Sequence, residues 1–204
     1  MPKPPLRLNP SSTALVTVEC QHGVVGGDSA LPDLAAQVGP TMKFIGTLAA
    51  AFRAAGGLVV HLTYVPAIGN RSSNRNAVLL AGVLGKMDSW TAGGRETQVV
   101  EEIGVGPDDV VLPRHTGLSP THNTELYPML RNAGYDTIVF AGVSLNIAMP
   151  VVATEAVDEG FHVVIPRDGV TGTPPEHAES MLRYTMSFIA RIATCEEIAA
   201  ALAT

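Results

Sequence analysis

The chain has 204 residues, of which 46% are hydrophobic and 16% charged, with a formal charge of −6 at pH 7; that length suits one domain burying roughly 70% of its unfolded surface. The acidic residues are scattered and no basic patch accompanies them, which argues against nucleic acid as a partner. Two cysteines, Cys20 and Cys195, lie far apart and outside any Cys-x-x-Cys spacing, so neither a disulfide framework nor a thiolate zinc site is expected, and a reducing, cytoplasmic setting is.

Residues 1–12 are rich in proline and lack the apolar run of a signal peptide; they read as a flexible arm before a domain over 13–204. Ala14–Val18 is an apolar run that predicts the first strand. Met42–Ala55 has helical spacing, with Gly56 at its C-cap, and Gly57–Leu62 predicts the second strand, with His61 inside it. The segment Val65–Ser89 lacks periodicity and carries Gly69, Asn70, Asn74, Asn76 and Gly82. It reads as a loop with helical turns, either covering a site at the strand ends or serving as a surface insertion or subunit contact. Tyr64 and the single tryptophan, Trp90, border it, placed either for packing or to wall a pocket.

Val110–Leu112 predicts a third strand, Thr124–Ala133 a helix closed by Gly134, Thr137–Ala141 a fourth strand, Ile147–Glu159 a helix closed by Gly160, and His162–Ile165 a fifth strand. The uncharged stretch Thr137–Thr154 approaches bilayer length, but Gly142, Ser144, Asn146 and Pro150 interrupt it, so it reads as a buried strand followed by a helix. Pro175–Ala190 has helical spacing. Thr194-Cys195-Glu196-Glu197 has the form of a capping box before a last helix over 195–202. Fully apolar strands alternating with helices predict an α/β domain with a parallel sheet covered on both faces. No Gly-x-Gly-x-x-Gly follows the first strand and no Walker lysine loop occurs, which removes the usual support for nucleotide binding.

Three strand ends carry notable residues on what should be one rim of the sheet: Glu19, Arg114, and the run Gly142-Val143-Ser144-Leu145-Asn146-Ile147-Ala148. Glu19, directly after a buried strand, is read as a site residue rather than a solvated carboxylate. Arg114 reads equally as a site cation or a surface charge. His115 and His122 could border the same pocket.

In this order, Ala-Leu-Val-Thr-Val-Glu-Cys-Gln at 14–21, Arg-His-Thr-Gly-Leu-Ser-Pro at 114–120, Asn-Thr-Glu-Leu at 123–126, the 142–148 run, Ala-Thr-Glu-Ala-Val-Asp-Glu-Gly-Phe at 153–161 and Arg167-Asp168 resemble the isochorismatase-like (cysteine) hydrolase superfamily. The resemblance runs from Ala14 to Leu202 and implies a three-layer, Rossmann-like sandwich with strand order 3-2-1-4-5-6, homo-oligomers, and a non-proline cis peptide between Val143 and Ser144. In the cysteine-hydrolase branch an aspartate, a lysine and a cysteine form the triad; the corresponding positions are Glu19, Arg114 and Ala148, all three different. Ala148 has no nucleophilic capacity, so covalent amidase chemistry at this position is not expected.

The isochorismatase branch also lacks the cysteine and cleaves a vinyl ether by protonation from its acidic residue. Glu19 would be that acid if apolar surroundings favour its protonated form, and Arg114 would fork onto a carboxylate. The resemblance thus implies acid-assisted, non-covalent hydrolysis of a small, anionic metabolite, with Val143, Ser144, Asn146, His115, Tyr64 and Trp90 as substrate-lining candidates. Two other readings stay open: a catalytically silent member that binds a metabolite or acts as an assembly partner, and an amidase with its nucleophile moved to Ser144 or Cys20. The Asp-x-His metal site of the nicotinamidases is not supplied by Leu62-Thr63-Tyr64-Val65, so neither a metal nor another cofactor is expected.

Overall fold

The computed structural model describes residues 5–202. Its elements are β1 (Thr13–Val18), α1 (His22–Val25), α2 (Pro32–Ala35), α3 (Thr41–Ala54), β2 (Leu58–Tyr64), α4 (Val78–Val83), β3 (Val110–Arg114), α5 (Leu126–Asn132), β4 (Thr137–Val143), α6 (Ala148–Asp158), β5 (His162–Pro166), β6 (Val170–Thr171), α7 (Pro175–Met181), α8 (Ser187–Ile189), β7 (Arg191–Ala193) and α9 (Cys195–Leu202). The strands lie parallel in the order β3-β2-β1-β4-β5-β7, with β6 beside the C-terminal end of β4. This is the expected 3-2-1-4-5-6 order, with the sixth position filled by Arg191–Ala193, a strand too short to stand out in the sequence.

The alternation of side chains along a strand builds the two cores. Leu15, Val59 and Val139 face α3 and α9, against Ile45, Leu48, Phe52, Ile198 and Leu202. Their neighbours Val16, Val60, Ile138 and Phe140 face α5 and α6, against Leu126, Leu130, Met149 and Val152. Both faces of the central strands are therefore dry, which explains why β1 shows no polar alternation. The capping box closes reciprocally: Thr194 N–H donates to Glu197 Oε2 at 2.8 Å, and Glu197 N–H to Thr194 Oγ1 at 3.1 Å.

The helix expected over 175–190 runs without interruption over 175–189, as α7, a wide π turn over Leu182–Met186, and α8, and stops one residue early because Ala190 is extended. One expectation changes. Of the arm expected over residues 1–12, residues 1–4 lie outside the described part; within the rest Leu8 is buried and its N–H donates to Ala201 O at 3.2 Å, so the chain there packs against α9. Among the described residues no helix is long and apolar enough to cross a membrane.

A buried polar network crosses the α3 face. Asp109 accepts from both Nε and Nη2 of Arg53 and from Gly106 N–H, and lies 3.0 Å from His61 Nε2; His61 Nδ1 is 2.7 Å from Thr17 Oγ1. Because Asp109 accepts from Nε2–H, the hydroxyl of Thr17 donates to Nδ1 of a neutral ring. Burial lowers the pKa of His61, against the opposing pull of Asp109. Burial raises that of Asp109, but hydrogen bonds from Arg53, Gly106 and His61 outweigh it and hold the carboxyl at about 2. Thr17 is 1% exposed and the Asp109 side chain 3%, so the network ties α3 and the loop before β3 to the sheet.

Candidate active site

β1 ends where Glu19 takes a left-handed backbone (φ 53) while its N–H still donates to Leu62 O at 2.9 Å. A non-glycine residue in that region is uncommon and marks a local requirement. The turn aims the carboxylate over the C-terminal ends of the strands and drops Cys20 back into the core beside Gly142. Gln21, fully buried, then locks the neighbouring strand end. Its Nε2 donates to Tyr64 O (2.9 Å) and Glu96 O (3.0 Å), and its Oε1 accepts from Tyr64 N–H at 2.6 Å. Tyr64 is thereby fixed with its hydroxyl on Ser73 Oγ and its ring 4.5 Å from the guanidinium of Arg114.

Arg114, at the end of β3, is 7% exposed. Its Nη1 donates to Gly117 O at 2.6 Å, and its Nη2 donates to Glu19 Oε1 in an ion pair. Its Nε is buried without an acceptor, a costly state for a charged group's donor. Glu19, Arg114, Tyr64, Ser144 and Ala148 line one cavity of about 60 Å3. Its other walls are apolar and include Leu80, Val83, Met87 and Leu118. Ala148 opens α6, so a methyl stands where that helix meets the cavity.

A wider cleft of about 470 Å3 adjoins it, sharing Leu31, Leu34, Leu79, Val83, Ser144 and Ile147. Asn146 lines this outer cleft, but both ends of its amide are engaged: Nδ2 donates to Thr173 O and Oδ1 accepts from Thr173 N–H. The Val143–Ser144 peptide is cis. Val143 itself is buried beneath the site.

Two of the expected lining residues sit elsewhere. His115 turns away from Arg114, with Nδ1 2.6 Å from Val65 O, and lines a separate cavity. Trp90 packs in the core over Gly23, so closely that a Cβ there would lie 2.2 Å from the indole, and it does not reach the cavity. Residues that sequence reasoning missed are the gate leucines: Leu31 and Leu34 flank a proline in a short helix, and Leu79 lies in the one apolar run of the long loop, the only signal available. Neither cysteine serves the cavity. Burial, reinforced by the Glu19 charge, pushes the Cys20 thiol up to about 12, and burial followed by Asp168 raises that of Cys195. Among the described residues no three metal-ligating side chains converge.

Residues 13–197 match the Isochorismatase domain family. The chain belongs to the isochorismatase family. It is 30% identical over 201 residues to the uncharacterized isochorismatase family protein YecD of Escherichia coli O157:H7, spanning 97% of this chain and 100% of that one. It is also 30% identical over 196 residues to the ureidoacrylate amidohydrolase RutB of Pseudomonas syringae pv. syringae, covering 86% of this chain and 77% of the relative. Among solved structures, an isochorismatase family protein from Burkholderia thailandensis superposes with a TM-score of 0.77 at 25% identity, covering 98% and 100% of the two chains. A cysteine hydrolase from Pseudomonas syringae pv. phaseolicola reaches 0.81 at 22% identity, covering 100% and 99%, and shares the fold.

Proposed function

We propose that this isochorismatase-family chain hydrolyses a small anionic metabolite without a covalent intermediate. The observation that carries the reading is the half-used fork of Arg114: Nη2 holds Glu19 while the Nε–H beside it is buried with no acceptor. A ligand carboxylate taking both donors in a planar fork displaces Glu19. Released from Arg114, the Glu19 carboxyl faces the ligand among apolar walls as the proton donor. Glu19 gives its proton to the terminal carbon of a vinyl-ether double bond; water adds to the oxocarbenium carbon so formed and returns one of its protons to Glu19, and the resulting hemiketal expels the alcohol. Ala148, taken as the residue at the family's nucleophile position, and the two buried thiols support a route without a thioester.

The relative named ureidoacrylate amidohydrolase acts, by that name, on a molecule that carries a carboxylate, which fits the same reading. One observation favours a second reading, that of a silent binding protein: the ion pair closes a cavity of about 60 Å3, too small for a metabolite unless the gate leucines move. Thermal-shift titration with small carboxylates and their neutral amides tests the first reading. It requires stabilisation by carboxylates that is lost in Arg114→Gln; equal stabilisation by the amides contradicts it.

A further inference from the structure

The ends of β2 and β3 present a second concavity on the face opposite Tyr64 and Arg114. It has a volume of about 500 Å3 and is walled by Val65, Val99, Val105, Val111 and Pro113, within the roughly 300–1,000 Å3 of small-molecule sites. No Asp, Glu, Lys or Arg lines it. Thr97 and Gln98, also at its rim, spend their side-chain donors on Thr91 O, Gly94 O and Gly93 O. Gln98 keeps its amide oxygen as an acceptor, and two further polar side chains line the concavity. Thr63 is 2% exposed and its Oγ1 has no partner, whereas buried hydroxyls in folded proteins are nearly always satisfied. His115 holds its Nδ1 against Val65 O; a carbonyl only accepts, so Nδ1 carries the hydrogen and Nε2 of the neutral ring is an acceptor. Among the described residues the only buried side-chain polar atoms without partners are Thr63 Oγ1 here and Arg114 Nε at the other cavity.

We propose that this concavity is a second small-molecule site, separate from the Glu19–Arg114 cavity, for a neutral ligand with an apolar body and one hydroxyl or primary amide. Valine and proline walls bury the body. The absence of formal charge from the lining selects against ions, since neither sign finds a counter-charge there. The ligand's polar group donates to His115 Nε2. A second protein chain fits less well, because Pro113 removes a backbone donor from the exposed edge strand β3. A ligand seated here touches Thr63, Val65, Pro113 and His115, the chain neighbours of Tyr64 and Arg114, so occupancy bears on the residues of the first cavity.

Benzyl alcohol is a suitable probe, read by methyl NMR on valine-labelled full-length protein; the measurement needs no turnover and is independent of the hydrolytic reading. The expected result is a saturable shift of the Val65, Val99, Val105 and Val111 methyls, with benzoate binding there at least tenfold more weakly. His115→Phe, at the exposed rim, removes the Nε2 acceptor and should weaken benzyl alcohol about fivefold, the worth of one neutral hydrogen bond. Val111→Trp, at the open rim, should fill the site and abolish the shift. Three results overturn the proposal: no saturable shift up to the solubility limit, affinity unchanged in both variants, or shifts of these methyls with protein concentration alone, which would make the face a subunit contact.

Discussion

Arg114 holds Glu19 through Nη2 alone and leaves the Nε–H of the same edge buried and unpartnered. The two side chains are 6% and 15% exposed, so the charges are largely withdrawn from water. Deleting one partner of such a pair strands the other, which costs more than the pair itself contributes.

Arg114→Leu should therefore lower stability by about 2–3 kcal/mol, while Glu19→Gln, which keeps a hydrogen-bond acceptor, should cost about 1 kcal/mol or less. The double variant should be more stable than Arg114→Leu alone. Chemical denaturation of all four proteins gives the coupling energy; strictly additive effects would mean the pair contributes nothing.

Glycines test the packing with opposite signs. Gly46 lies inside α3, where alanine normally gains up to about 1 kcal/mol, but a Cβ there would stand 1.9 Å from Glu102 O. Backbone must move, so Gly46→Ala should lose about 2–4 kcal/mol. Gly82, inside α4, meets nothing within 4 Å, and Gly82→Ala should gain about 0.5–1 kcal/mol. Thermal unfolding of the two variants should move in opposite directions.

Acid should destabilise the protein through one network. The pKa of His61 is lowered on folding from its ordinary 6.5, so the unfolded chain takes up the proton first. The stability it supports is complete above about pH 6.5 and is lost as pH falls below that. Asp109 is held at about 2 against an ordinary 3.8, so its contribution is present above about pH 4 and fades toward pH 2. Unfolding free energies should fall steadily from pH 7 to pH 3, with a shallower slope between pH 6.5 and 5 in His61→Gln. A flat wild-type profile over that range would show that the buried ring does not stay neutral.

Cys20 and Cys195 should resist alkylation in the native state, being buried with raised pKa values. Mass spectrometry after iodoacetamide treatment at pH 8 should find neither modified until denaturant is added. Rapid modification of Cys20 in the folded protein would reopen the reading in which it is the nucleophile.

Elements with a long, uniform pattern were legible from the sequence. β1, α3 and α9 appear within one residue of their expected bounds, because the apolar run, the spacing of Met42, Ile45, Leu48 and Phe52, and the Thr194–Glu197 box are all local signals. α1, α2 and β7 were not, since segments of three or four residues are held by tertiary contacts such as Gln21 with Tyr64 and the β5 register with β7. At the site, Glu19 and Arg114 could be placed on one rim from strand ends alone. The sides taken by His115 and Trp90 could not: one depends on strand alternation past Arg114, the other on an indole fitting over Gly23, and neither has a sequence signature.

The claim that Glu19 delivers the proton is tested most directly by single-turnover hydrolysis of a small vinyl-ether carboxylate by wild type and Glu19→Gln. Glutamine keeps the shape and the contact with Arg114 but has no proton of the required acidity. The account predicts wild-type cleavage and a rate lower by about 10²–10⁴-fold in the variant. Equal rates in the two proteins would contradict it.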